Sequence, residues 1–241
     1  RNGTTDQTAF WLIDSSFSFK SGGFLGKSPS LGSNSDWQLR ATADFNSDGQ
    51  SDFVWQNSKS GEQAIWYLKG TTYATSLTLP ARSDLNWLIS EIGDFSRDGN
   101  LDLLWHNVRS GETDIWNLNS SPYAGEVPLL KVPDLGWQVQ ATGDFNRDGS
   151  VDLLWRSYRD GSVAFWQMNG PTFETPVYLP PVGDPAWKVE GVGDFDRDGF
   201  LDLFWYNKNS GQTAVWTLNG MTLKEGIFLP TPGPGWQVEA I

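Results

Sequence analysis

The sequence predicts an all-β chain made of four-stranded β-propeller blades, and two observations carry that expectation. A nine-residue stretch recurs four times, as Asp44–Asp52, Asp94–Asp102, Asp144–Asp152 and Asp194–Asp202, each copy starting 50 residues after the one before. All 14 tryptophans fall at three addresses of the same period. Self-similarity at about 50 residues marks a propeller or solenoid array, where each repeat is one supersecondary unit.

The unit 137–186 breaks into four strands. WQVQATGDF alternates, setting Trp137, Val139 and Ala141 on one face and Gln138, Gln140 and Thr142 on the other. VDLLWR follows the acidic stretch as a second strand. SYRDG is a turn, SVAFWQM a third strand, and NGP a second turn. PVYLP, bracketed by prolines, reads as a short edge strand. Four such strands with their turns consume about 50 residues, the size of one blade. No segment has helical periodicity.

The same division gives units 37–86, 87–136, 137–186 and 187–235 of a single domain, 1–241. Residues 1–36 match the second half of a unit, and 236–241 match the beginning of one. The expectation is five blades, the fifth shared between the two ends, because closing a ring removes exposed sheet edges. A cut from a seven-bladed ring gives the same complementary ends. In either case the missing loop and strand are expected to precede Arg1 or to come from another segment.

The acidic stretches read DFNSDGQSD, DFSRDGNLD, DFNRDGSVD and DFDRDGFLD. Oxygen side chains stand at positions 1, 3, 5 and 9: Asp44, Asn46, Asp48 and Asp52; Asp94, Ser96, Asp98 and Asp102; Asp144, Asn146, Asp148 and Asp152; Asp194, Asp196, Asp198 and Asp202. Carboxylates gathered this closely repel one another, and a hard divalent cation with flexible oxygen coordination supplies the counter-charge. Ca²⁺ suits such a set better than Mg²⁺, which keeps more of its water. Gly at position 6 allows the sharp turn around the ion. An EF-hand would need a Glu at position 12 and flanking helices. Position 12 here is Trp55, Trp105, Trp155 or Trp205, and the flanks are strand-like. The expected site is therefore a calcium loop between two strands, with the acid at position 9 closing it and one ion per loop.

The net charge is −12, which argues against nucleic acid and against anionic membrane surfaces as partners. Four bound Ca²⁺ ions would bring it to about −4. No apolar run approaches the length of a membrane span, so no membrane insertion is expected. There are no cysteines, hence no disulfides and no thiol chemistry. Calcium loops suit the high Ca²⁺ outside cells, which places the chain in an extracellular or cell-surface setting.

Glycans are the expected ligands. Trp55, Trp105, Trp155 and Trp205 end the strand after each loop and are followed by polar residues, Asn57, Asn107 and Asn207 among them. A ring face can take the C–H surface of a sugar while amides take its hydroxyls. Repeated weak clefts would gain avidity from a multivalent surface. A protein partner, with calcium purely structural, is the competing class. His106, the only histidine, falls at a variable position and is expected to be exposed. Catalysis is not expected, since no constellation of reactive residues breaks the repeat.

The four DFxxDGxxD copies resemble FG-GAP (VCBS-type) repeats, and the WxxxxGxxxxW spacing of Trp105–Trp116 and Trp205–Trp216 resembles their Trp-rich bacterial branch. The resemblance implies a β-propeller with Ca²⁺ in loops on one face. Members include integrin α-subunit propellers, adhesion modules, a fungal lectin and accessory domains of polysaccharide enzymes. Seven blades are the norm among them. Ser96 departs from the usual Asp or Asn at position 3, implying weaker or water-mediated binding in the second loop.

Overall fold

The computed structural model describes residues 8–13, 19–25, 36–118 and 123–230. Among these, every regular element is a strand, and no helix is long and apolar enough to cross a membrane. The chain divides into two compact units, residues 1–89 with 118–124 and residues 90–117 with 125–241.

In the first unit, β1 (Thr8–Ile13) pairs antiparallel with β2 (Phe19–Leu25) as a two-stranded sheet. Blade 1 follows: β3 (Trp37–Ala43), β4 (Asp52–Asn57), β5 (Gln63–Lys69) and β6 (Thr72–Leu79), hydrogen-bonded in chain order. Its core holds Trp37, Trp55, Ala64 and Trp66. The segment 236–241, and with it the shared fifth blade and ring closure, lies outside the described residues.

Three further sheets repeat this order. Blade 2 is β7 (Trp87–Gly93), β8 (Asp102–Asn107), β9 (Thr113–Asn117) and β10 (Gly125–Pro128). Blade 3 is β11 (Trp137–Gly143), β12 (Asp152–Ser157), β13 (Val163–Asn169) and β14 (Thr172–Leu179). Blade 4 is β15 (Trp187–Gly193), β16 (Asp202–Asn207), β17 (Thr213–Asn219) and β18 (Thr222–Leu229). The second strand of each blade is the most buried, because both of its faces meet protein. Every residue of β8 and β12 is buried. In the second unit the packing joins blades face to face. Phe95, Leu104 and Ile115 meet Leu153, Trp155 and Met168, while Phe145, Leu154 and Phe165 meet Val189, Leu203 and Trp205.

Two local features depart from the sequence expectation. The alternation of the first strand breaks at a bulge: Val139 pairs with Trp155 and Ala141 with Leu154, so Gln140 is the extra residue. Ala141 therefore leaves the face of Trp137 and Val139, as a one-residue insertion requires. The outer strand is also longer than PVYLP. β14 starts at Thr172, because Gly170, at φ +56°, and Pro171 reverse the chain in a two-residue hairpin between Asn169 and Thr172.

The blade-to-blade linkers are clamped by a turn glycine. Gly161, at φ +76°, accepts a hydrogen bond from Val182 N–H at 2.7 Å through its carbonyl. A Cβ there would stand 2.3 Å from the Val182 oxygen, so only glycine fits.

Glu91, in β7, occupies a repeat position that holds Ala41, Ala141 and Gly191 elsewhere. Burial pushes its carboxyl up to about 7. A folded-state value above the unfolded one favours folding at low pH, and that contribution is lost as pH rises through about 7. Glu91→Gln should therefore raise the melting temperature at pH 8 and leave it nearly unchanged at pH 5, a gain of at most about 3 kcal/mol. Equal shifts at both pH values in thermal melts would refute the assignment.

Candidate metal loops and an aromatic cleft

Each acidic stretch folds into one loop between the first two strands of its blade, and its own amides shape it. In loop 3, Asp144 accepts hydrogen bonds from Asp148 N–H (3.0 Å) and Gly149 N–H (3.0 Å). Asn146 Oδ1 accepts from Asp148 N–H at 2.9 Å, and Asp148 Oδ1 from Ser150 N–H at 2.7 Å. Asp44 makes the same pair of bonds to Asp48 and Gly49, and Asp94 to Asp98 and Gly99. Position 4 is left-handed in every loop, with φ between 57° and 62° at Ser47, Arg97, Arg147 and Arg197. Nothing in the residue pattern marks position 4 as left-handed, since only position 6 carries glycine.

The acid at position 9 has a structural task that sequence reasoning missed. Asp52, Asp102, Asp152 and Asp202 are fully buried. Asp152 Oδ2 accepts from Phe145 N–H (3.1 Å) at the loop entrance, and Oδ1 from Met168 N–H (2.9 Å) at the end of the third strand. Asp52 and Asp202 bridge Phe45 with Leu68 and Phe195 with Leu218 in the same way. The carboxylate thus ties loop, second strand and third strand together, while each oxygen keeps a further lone pair.

Two observations test whether these residues suit a hard cation. Asp194, Asp196 and Asp202 each place a carboxylate oxygen within 4.8 Å of the others, a set that could hold a metal ion. In loop 2 the hydroxyl oxygen of Ser96 is sealed from solvent without a hydrogen-bond partner. Both fit a site of oxygen ligands built around an ion. Neighbouring loops of the second unit also touch. Arg97 lies 3.5 Å from Asp148, and Arg147 donates to the Gly199 carbonyl at 2.8 Å while covering the Phe200 ring at 4.2 Å.

The residues expected to stack on sugars are placed elsewhere. Trp55, Trp105, Trp155 and Trp205 are at most 1% exposed, each packed on the third-strand tryptophan of its own blade with ring centroids 4.8–5.2 Å apart. Rings this deeply buried do not offer the open stacking faces expected of them, which corrects that expectation, and only Trp205 borders the cleft described below. Asn57, Asn107 and Asn207 are buried too, and their Oδ1 atoms accept two turn amides each. His106 is buried rather than exposed. Its Nδ1 lies 3.1 Å from Thr113 Oγ1, its ring packs edge-on to Trp155, and burial lowers its pKa, leaving it neutral.

An aromatic cleft exists in blade 4 instead. Pro181, Val182, Trp187, Trp205, Ala214, Trp216 and Phe228 line a cavity of about 250 Å³. Phe228 is 69% exposed and meets Trp187 edge-on at 6.0 Å. Two repeat positions make blade 4 different. Phe228 replaces Thr78, Pro128 and Tyr178, and Gly226 faces Trp216 where Ser76, Glu126 and Pro176 face the equivalent rings. In blade 2, Glu126 accepts the Trp116 indole N–H at 3.2 Å. Gly226 has no such acceptor to offer. Aligning the repeats exposes both substitutions, but without the fold nothing marks Phe228 as lining a cavity or Gly226 as the partner of the lining residue Trp216.

The FG-GAP-like repeat model matches residues 44–105 and 144–205, just over half of the chain, with loops 1 and 2 in one match and loops 3 and 4 in the other. The chain belongs to the FG-GAP-like repeat family. Solved structures agree on the fold. The Photorhabdus luminescens Tc holotoxin pore matches with a TM-score of 0.58 and 20% identity over 97% of this chain, which spans 11% of the toxin chain. Luciferin-regenerating enzyme matches with a TM-score of 0.55 and 11% identity over 94% of this chain and 71% of its own. No curated protein matches the sequence.

Removing position 9 and removing position 5 should have separable effects. Asp152→Ala strands two buried N–H groups and is expected to cost roughly 2–5 kcal/mol even in excess EDTA. Asp148→Ala, in the exposed part of the loop, should cost little there and reduce only the stabilisation that calcium adds. Melting curves with and without calcium check this; equal losses in EDTA would refute the division.

Burial, reinforced by the like charges of Asp148 and Asp144, pushes the Asp152 carboxyl up to about 7. An ion needs it ionised, so binding must release a proton whenever it is protonated. Calcium affinity should therefore fall as pH drops from 8 to 6, as measured by calorimetric titration at the two values. A pH-independent affinity would show that position 9 does not meet the ion.

Proposed function

We propose that this chain is a calcium-held, non-catalytic recognition module of an extracellular or cell-surface protein, and that its blade 4 cleft takes a neutral saturated ring such as a pyranose. The cleft is the observation that supports this reading. Its lining has aromatic faces for the C–H surface of a sugar and no charged side chain. Across from Trp216, Gly226 leaves room where blade 2 places a carboxylate oxygen on the equivalent indole. A ligand oxygen can take that place. Trp55, Trp105 and Trp155 serve packing, while Trp205 also borders the cleft.

The loops supply stiffness. Ions in them would neutralise carboxylates that otherwise repel, and would hold the first two strands of each blade at a fixed separation. The Asp side chains are occupied in loop construction, and His106 is neutral and buried, which supports a recognition role for the module.

A glycan array probed with calcium-loaded protein tests the reading. The expected result is binding to a narrow class of sugars, lost in Gly226→Glu, which places the blade 2 carboxylate in the cleft. Thermal melts of that variant should match the parent. A blank array from folded, calcium-loaded protein would overturn the sugar reading and favour a protein partner.

A further inference from the structure

Loop 4 is the most acidic of the four. Position 3 is Asp196, where loops 1 and 3 have Asn46 and Asn146 and loop 2 has Ser96. A fourth carboxylate should raise affinity for a divalent cation, since affinity follows ligand charge. Yet this loop already holds a cation of its own. Lys224 reaches across from β18 and places Nζ 2.7 Å from Asp196 Oδ2 and 3.1 Å from Asp198 Oδ2. One ammonium thereby bridges the side chains at positions 3 and 5. The equivalent residues of β6 and β14 are Ala74 and Glu174, so the lysine is not part of the repeat.

We propose that Lys224 is a resident counter-ion of loop 4, which keeps the loop closed in the absence of metal and weakens its hold on calcium. The inference rests on the reading of the loops as calcium sites. Without an ion, Asp194, Asp196 and Asp202 bring three oxygens within 4.8 Å of one another, and the lysine offsets part of their repulsion. With an ion, the ammonium must either release Asp196 and Asp198 or remain beside a divalent cation. Both options cost free energy in the calcium-bound state and neither does so in the metal-free state. The effect is modest because the lysine side chain is half exposed and screened by water. Blade 4 is thus the blade least dependent on calcium, and loop 4 is set apart from its three sisters by Asp196 and the lysine that pairs with it. The aromatic cleft belongs to the same blade, so the inference also separates ligand binding there from the ion.

The test compares the parent with Lys224→Gln, using calorimetric calcium titration and thermal melts in excess EDTA and in saturating calcium. Lys208→Gln, an exposed lysine of the same blade, controls for net charge. Lys224→Gln should tighten one site by about two- to fivefold, lower the melting temperature in EDTA, and leave it unchanged in saturating calcium. In an Asp196→Asn background, which restores the residue of loops 1 and 3, the lysine effect on affinity should shrink. Unchanged titrations and melts would overturn the proposal, and weaker binding in Lys224→Gln would make the lysine a support of the site. A parent that binds no calcium would sink the calcium reading itself. A lowered EDTA melting temperature in Lys224→Gln would then still report the ion pair.

Discussion

A carboxylate that is buried and still indispensable is the constraint on which each blade depends. Asp152 and its equivalents sit at the first residue of the second strand, with no solvent exposure, and spend both oxygens on backbone amides. Taking a charge out of water is expensive, and two amide hydrogen bonds repay only part of that cost. The two other acids of its loop, Asp144 and Asp148, then add repulsion to burial, which is why the Asp152 carboxyl is driven up to about 7. Such an arrangement is tolerable in two ways only: a proton or a cation must be near. The further oxygens that the repeat gathers around the buried acid suit a cation.

The tryptophans solve a different problem. Sheets stacked face to face need side chains thick enough to fill the space between them, and aliphatic residues are scarce in this sequence. Pairs of indoles, one from the second strand and one from the third, fill it with rings about 5 Å apart. The residue after the second-strand tryptophan then meets the tryptophan of the following blade, as His106 does with Trp155 and Arg156 with Trp205. Variation at this position tunes packing between blades, which explains how a lone histidine at a variable site comes to be buried.

Much of this architecture was legible in the sequence. The period, the four strands per unit and the turns at Gly161 and Gly170 follow from spacing and turn chemistry, which are local. The acidic loops were legible for the same reason. What escaped was everything decided by the third dimension. The bulge at Gln140 leaves no mark, because WQVQATG alternates perfectly as a string. The polar neighbours of Trp55, Trp105 and Trp205 suggested an open, wet surface, yet Asn57, Asn107 and Asn207 turn inward to satisfy the amides of their own turns. Polarity read from a sequence cannot separate a side chain facing solvent from one facing unsatisfied backbone.

Repetition also changes where function should be sought. A residue found at the same place in all four blades is accounted for by the blade: the buried acid, the paired indoles and the turn glycine each have a mechanical task. A recognition site needs something that the fold does not already use. In blade 4 that excess consists of three departures from the repeat, Lys224, Gly226 and Phe228, on a single edge strand. β18 has pairing needs on one side only, so its side chains can change at little cost to the core. Lys224 meets the loop at one end of the strand, while further along Gly226 pairs with Trp216 of the cleft and Phe228 lines it. Edge strands are where a repeat protein can acquire individuality without disturbing the packing that its neighbours require.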